Sequence, residues 1–395
     1  MNKIRKIVSD ELFDWMRDIR RTIHQWPELA LKEKKTAKVI SGRLRKLGIA
    51  HKTSIAATGV VGKLIIDEHA PTVALRADMD ALPVYEETGL AFSSKVPGVM
   101  HACGHDGHVA IILGAAAILK QNPPDGNVVF IFQPAEENEG GAKPMIDAGV
   151  LEGVDMIFGA HIEPHYKVGE IGIRTGVNTA YTDAFDIKIT GKGGHAARPH
   201  ETVDAVVLAC KLVMEFQTII SRNLDPLFPA VISVGYLKSG TVNNAIAEKA
   251  HIKGTIRSTD ESVRNQIINM MDNIASSLSA LHGAKIMLAI RPGYPPVVNE
   301  KKASEFAGHV ARELVGRKNA ITIPLPGMGG EDFAYYLHKI PGCFVRFGGA
   351  IDENEPVTSH SSRFDFDEEV LRVGAAYLSE LARYSIRKLR SVKSN

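Results

Sequence analysis

Four short segments of this 395-residue chain carry the side chains that bind metals and move protons. They are Asp78-Met79-Asp80, His101-Ala102-Cys103-Gly104-His105-Asp106-Gly107-His108, Gln133-Pro134-Ala135-Glu136-Glu137, and His161. Thiolate, imidazole and carboxylate together make a transition-metal donor set. One Cys lies two residues from a His, with a Gly between them that permits a tight turn. This differs from the paired Cys-x-x-Cys of a closed structural zinc site and fits a catalytic site with open positions. Adjacent glutamates have a matching logic: one holds metal while its neighbour handles a proton. Each segment alone has a plainer reading. Asp78-Met79-Asp80 also suits a helix-capping turn, and Glu136-Glu137 also suits the dipole at a helix start.

The flanking residues favour the metal reading. Runs of strand length, apolar on both faces, precede three of the segments: 73–77 before Asp78, 128–132 before Gln133 and 156–160 before His161. The fourth leads into the apolar run 109–119, whose length predicts a buried helix. Doubly buried strands alternating with helices predict a mostly parallel sheet covered by helices, an α/β domain. In such sheets the carboxyl ends of the strands face one crevice, where distant segments converge.

Near residue 180 the pattern changes. Residues 185–190 and 251–257 alternate strictly between apolar and polar, and helical stretches are expected at 203–221 and 261–282. The order strand, helix, strand, strand, helix, strand predicts an inserted α+β, ferredoxin-like unit. From about 294 the buried-strand pattern returns, with helices expected at 301–315, 331–338 and 367–390. The expected organisation is a discontinuous domain, 1–180 plus 294–395, carrying an insert at 181–293. In the insert, Gly191-Lys192-Gly193-Gly194-His195 lacks the ending and spacing of a phosphate-binding loop. It reads either as a turn projecting His195 as an oxyanion donor or as a structural turn. Arg257 reads either as a carboxylate-binding guanidinium or as an exposed strand residue.

Composition closes off other classes. Lys and Arg number 47 against 45 Asp and Glu, a net charge of +2, so no broad basic field marks a nucleic-acid binder. No apolar run reaches the roughly 18 residues of a membrane span. Acidic residues arrive before any signal-peptide core, and three cysteines (Cys103, Cys210, Cys343) make no disulfide framework. A cytoplasmic protein without membrane or nucleic-acid partners is expected.

With these motifs in order, the sequence resembles the aminoacylase/carboxypeptidase family of di-metal peptidases. Within it, the chain is similar to the amidohydrolase branch of hippurate hydrolases, auxin-conjugate hydrolases and N-acyl-amino-acid deacylases. The resemblance spans about 15–385. It rests on Arg21-Thr22-Ile23-His24-Gln25-Trp26-Pro27-Glu28, Arg76-Ala77-Asp78-Met79-Asp80, the His101–His108 segment, Phe132-Gln133-Pro134-Ala135-Glu136-Glu137, Gly193-Gly194-His195-Ala196-Ala197-Arg198-Pro199-His200, Gly254-Thr255-Ile256-Arg257, Gly330-Glu331-Asp332-Phe333 and Ser359-His360-Ser361. It implies that Cys103, His105, Glu137, His161 and His360 hold two divalent ions, zinc or manganese first and cobalt or nickel as alternatives. It implies that Glu136 is the general acid/base and that Asp80 orients a ligand imidazole. His195 would reach the scissile carbonyl, from the partner subunit in dimeric relatives, and Asn244 and Arg257 would hold the substrate carboxylate. The implied reaction is hydrolysis of an N-acyl amino acid by a homodimer joined through a lid domain. A metallo-dipeptidase or aminopeptidase on the same site and a non-catalytic binding protein are the alternatives. Three departures stand out. Ala247 replaces a family Pro, which leaves Asn243 as a rival to Asn244. Glu163 stands where relatives carry an aromatic. Asp78 stands where the carboxypeptidase branch has a ligand His, with Cys103 supplying the compensating ligand.

Overall fold

The computed structural model describes residues 2–137, 140–352, 355 and 357–393. The chain opens with helices α1 (Asn2–Ile7) and α2 (Asp10–Gln25). They are separate because the Ser9 side chain accepts the Leu12 amide and caps the second one. Helix α3 (Lys34–Lys46) leads into strands β1 (Ala50–Ile55), β2 (Gly59–Leu64) and β3 (Thr72–Asp78). Helix α4 (His105–Gln121), strand β4 (Asn127–Gln133), helix α5 (Ala142–Asp147) and strands β5 (Met156–Lys167), β6 (Ile171–Ile173) and β7 (Gly176–Val177) follow. Nearly every residue of α4 is buried, as its uniformly apolar sequence requires.

The next segment forms strand β8 (Tyr181–Thr190), the two-residue strand β9 (Gly194–His195), helix α6 (Ala205–Thr218), and strands β10 (Ala230–Ser239), β11 (Ala245–Ile246) and β12 (Lys249–Ser258). Helix α7 (Glu261–His282) and strand β13 (Lys285–Arg291) complete it. Residues Thr179–Pro296 and Pro326–Glu331 form one compact unit, and the remainder forms the other. The four long strands of this second unit make an antiparallel sheet in the order β10-β12-β8-β13. Phe185, Ile187, Ile189, Ile252 and Ile256 point to one face of it and bury against Leu208, Leu212, Phe216, Ile267 and Met271 of the two helices. The alternate residues form an open face.

The chain then returns to the first unit through β14 (Val298–Asn299), α8 (Lys301–Val315), β15 (Ala320–Thr322), α9 (Ala334–Leu337), β16 (Gly342–Ala350) and α10 (Glu369–Lys393). Its central sheet has eight strands in the order β1-β2-β4-β3-β5-β16-β6-β15. The inner neighbours β4/β3, β3/β5 and β5/β16 are parallel. From β3 the chain crosses to β4 on one side and then to β5 on the other. That reversal of direction opens a crevice beyond the carboxyl ends of these strands. Asp78 is in register with Gln133, and Arg76 with Gly159, so Asp78, Gln133 and His161 come level at one end of the parallel strands.

Candidate metal centre

Cys103, His105 and His161 place their ligand atoms within 4.8 Å of one another, as do Cys103, Glu137 and His360, and His105, Glu136 and Glu137. Cys103 and Glu137 belong to sets that share members, so the five expected ligands and Glu136 form one continuous cluster in the first unit. Local backbone geometry produces it. Gly104 takes the left-handed conformation (φ 87°) and turns the chain between Cys103 and the first turn of α4. Ala135 does the same without being glycine (φ 58°), at a cost of roughly 1–2 kcal/mol. Its amide donates to Glu33 Oε1 at 3.0 Å, which holds the turn. The next two amides, of Glu136 and Glu137, then converge on the Asp80 carboxylate, each at 3.1 Å. Asp80 therefore fixes the backbone from which both glutamates project. His360 also has a positive φ of 68°, and its amide is held by Ala102 O at 2.7 Å, next to Cys103.

Hydrogen bonds fix the tautomers of two imidazoles. His105 Nδ1 lies 3.0 Å from Asp80 O, and His161 Nδ1 lies 2.7 Å from Ile162 O. A carbonyl only accepts, so each Nδ1 carries a proton, and the neutral ring that binds a metal then presents its lone pair at Nε2. Both nitrogens point at other ligand-type atoms: His161 Nε2 is 3.3 Å from Cys103 Sγ, whose thiol proton it accepts, and His105 Nε2 is 3.8 Å from Glu137 Oε1. Glu137 Oε1 is buried without a hydrogen-bond partner, with His360 Nε2 at 3.3 Å. Burial and the Glu137 carboxylate push the Cys103 thiol up, so a thiolate there needs a cation beside it. Imidazole nitrogens converging on a buried sulfur and a carboxylate fit divalent ions.

The neighbouring histidines are different. His108 Nδ1 donates to Asp78 Oδ1 at 2.6 Å, and its Nε2 accepts the Ile162 amide at 3.0 Å. Both nitrogens are used, so His108 braces β5 rather than offering a lone pair. Although burial opposes it, the His108 N–H that it accepts and the Arg76 guanidinium hold Asp78 well below the usual carboxylate range. Arg76, buried, donates to Asp78 Oδ2 at 2.7 Å, Gln133 Oε1 at 2.9 Å and Asp332 Oδ1 at 2.8 Å, joining the ends of β3 and β4. Sequence reasoning missed this brace. The signal available was Asp332 after the Gly-rich 327–330 segment.

A second buried network holds the outer side of α4. Arg20 donates Nε to Asp106 at 3.2 Å and also binds Asp365 and Glu368, between Phe92 and Phe366. His24 contacts Asp106 at 2.8 Å through Nδ1 and Glu86 at 3.3 Å through Nε2. Burial opposes its charge, but these carboxylates push it up to about 9. Asp106 neighbours His105 in sequence, and Asp365 lies five residues beyond His360. One buried guanidinium thus ties together both segments that deliver ligands. His101 is buried too, and burial pushes it down to about 4.

His195, Asn244 and Arg257 belong to the second unit. The pairing of β9 with β11 puts His195 opposite Ala245, beside Asn244. His195 Nδ1 accepts the Ala197 amide at 3.1 Å, so the proton of its neutral ring sits on Nε2, an outward N–H donor. Arg257 is half-buried near the far end of β12, about 26 Å along the strand from Lys249. The structure groups the first two residues and separates the third. Glu163 pairs with Arg346 at 3.0 Å, and its carboxylate lies 3.8 Å from His161 Nδ1.

Comparisons with known proteins fit this geometry. A family model described as Peptidase family M20/M25/M40 matches residues 74–384. The chain is 42% identical over 384 residues to thermostable carboxypeptidase 1 of Saccharolobus solfataricus, covering 95% of this chain and 97% of that one. It is 39% identical over 367 residues to N-acetyl-L-cysteine deacetylase of Bacillus subtilis, covering 92% and 86% respectively. A crystal structure of a dinuclear metal-binding peptidase of the M20 family from Bacillus subtilis superposes with a TM-score of 0.83 at 35% identity, over 96% of this chain and 99% of that one.

Proposed function

The chain belongs to peptidase family M20/M25/M40, and from that premise we propose that this hydrolase cleaves the amide bond of N-acyl amino acids. The products are a carboxylate and a free amino acid. The observation that carries the reading is the convergence of imidazole nitrogens, a buried thiol and the Glu137 oxygen that lacks a hydrogen bond, beside Glu136. Cys103, His105, Glu137, His161 and His360 would hold two divalent ions. Zinc and manganese suit this mixed donor set, with cobalt or nickel as substitutes. The chemistry supplied there is Lewis acidity, which acidifies water and polarises the scissile carbonyl. Glu136 takes the proton of the attacking water and returns it to the leaving amine. Asp80 holds Glu136 and Glu137 in place through their amides. His195 donates Nε2–H to the developing oxyanion. Asn244 and Arg257 hold the free carboxylate of the substrate.

The separation along β12 supports a homodimer. Asn244 and the β11 strand that pairs with His195 lie just before Lys249 in the chain; a small substrate does not span the roughly 26 Å of β12 from that end to Arg257, so His195 and Asn244 act on the site of a second copy while Arg257 serves another. The second unit is then both lid and dimerisation domain, and its closure excludes water. Among the described residues no helix is long and apolar enough to cross a membrane.

Likeness to a carboxypeptidase favours a second reading, release of a C-terminal amino acid from a peptide. Both substrates carry a free α-carboxylate and differ at the acyl end. The deciding assay sets metal-loaded protein against N-acetyl and N-benzoyl amino acids, their carboxamides, and dipeptides. Preferred cleavage of the N-acyl acids, with the carboxamides at least about tenfold slower, is expected. Preference for dipeptides with a free amine would overturn the proposal.

A further inference from the structure

The second unit carries a feature that amide hydrolysis does not use. Its sheet buries one face against α6 and α7 and leaves the other open, and that open face is cationic. Register places Lys188 of β8 directly opposite His251 of β12, and Lys238 of β10 directly opposite the same His251. Lys249 lies two residues before His251 on the same face, opposite Thr190, which has Lys285 on its other side. Lys249 is thus the diagonal neighbour of both Lys188 and Lys238, about 7–8 Å away, within reach of long side chains whose like charges repel. The one carboxylate interleaved on this face, Asp186, is committed to His251, with both oxygens at 3.0 Å, and reaches Lys253 at 4.0 Å. Among the described residues Lys188, Lys238, Lys249 and Lys285 have no carboxylate partner.

A cavity of about 820 Å³ lies over this end of the sheet, under the hairpin that joins β10 to β12. Lys188, Lys238, Lys249 and His251 line it, Tyr236 and Met287 provide apolar surface, and Glu248 is the one acidic residue in the lining. The volume is that of a small-molecule site. Its cations are lysines, point charges on flexible stems, rather than the planar fork of arginine. Such a set takes several oxyanion groups at once without demanding bidentate geometry. A concave site in which lysines of adjacent strands lie diagonal to one another, with few acids between them, is destabilised when empty and relieved by a multivalent anion.

We propose that this cavity binds a small polyanion carrying two or more carboxylate or phosphate groups. The residues that line the site lie wholly within the second unit. Calorimetric titration of the full-length, metal-loaded protein tests it. The probes are tricarballylate and fructose 1,6-bisphosphate, both weak chelators, at low ionic strength. Saturable binding of one ligand per chain is expected, and the tighter arm identifies the anion as carboxylate or phosphate. Lys188→Gln with Lys249→Gln should weaken binding at least about tenfold. Lys301→Gln with Lys302→Gln, an equal charge loss on exposed positions of α8, should change it less than about twofold. Lys238→Gln on the edge strand β10 gives a milder variant, expected to weaken binding by about threefold while leaving the melting temperature unchanged. No saturable heat, or equal weakening in both double variants, overturns the proposal.

Discussion

Asp80→Asn isolates the residue that holds the catalytic backbone. Asp80 is 1% exposed, and each of its oxygens accepts one amide at 3.1 Å, Oδ1 from Glu136 and Oδ2 from Glu137. Oδ1 also lies 3.3 Å from His105 Nδ1. With two donors converging on Oδ1, an asparagine keeps its carbonyl there and turns its NH2 toward the Glu137 amide. One bond to a charged acceptor is lost and a buried donor is left facing a donor, a cost of about 1.5–3 kcal/mol. That energy corresponds to about 10–150-fold in an equilibrium constant. It falls on Glu137, the carboxylate that projects between His105 and His360. Asp80→Asn should therefore bind metal about 10–100-fold more weakly in a chelator competition titration. At saturating metal its kcat should stay within a few-fold of the parent, because the amide of Glu136 keeps its acceptor. A large fall in kcat at saturating metal with unchanged metal affinity would refute this assignment. So would a variant unchanged in both.

Other consequences follow from the same geometry. Cys103→Ser replaces a soft thiolate facing His161 Nε2 at 3.3 Å with a harder, weakly acidic hydroxyl. Metal analysis after dialysis should find it retaining about one ion fewer per chain than the parent; full retention would remove Cys103 from the ligand set. Gly104→Ala forces a side chain to φ 87° between two ligands. Denaturant unfolding should show a loss of about 1–2 kcal/mol, accompanied by weaker metal binding, and an unaffected protein would deny that this turn matters. His24 has its pKa raised to about 9, so it adds stability in full below about 6.5 that fades as pH rises through 9. The parent should lose up to ~3 kcal/mol over that window, and His24→Gln should flatten the pH dependence of unfolding there. Parallel curves for the two proteins would show that His24 is not the charged partner of Asp106 and Glu86.

The strand ends that carry the cluster were legible because buried strands announce themselves as short runs apolar on both faces. The polar residue ending each run then marks the crevice: Asp78 after β3, Gln133 after β4, His161 in β5. Helix α4 was legible from its uninterrupted apolar length. The supporting contacts were not. Arg76 and Asp332 are 256 residues apart, and nothing local to either announces the pair. The helix expected at 331–338 begins only at Ala334, because Asp332 is drawn to Arg76, Gln133 and the amide of Ala142. Ala135 is a good helix former, so its left-handed turn is imposed by Glu33 and Asp80 and has no signature in the sequence. Apolar residues at helical spacing run without a break through residues 6–20, yet the Ser9 cap divides them between α1 and α2. Strand β5 runs seven residues beyond the expected 156–160, through His161 to Lys167, because β16 pairs with it along that length.

The central claim is that five side chains of one chain hold two divalent ions that the reaction needs. The direct measurement is metal content per chain together with turnover of an N-acyl amino acid, after stripping and after stepwise reloading with zinc or manganese. The account predicts no turnover in the stripped protein, about two ions per chain at saturation, and activity that returns with them. Failure to take up metal, or turnover that persists without it, would contradict the account.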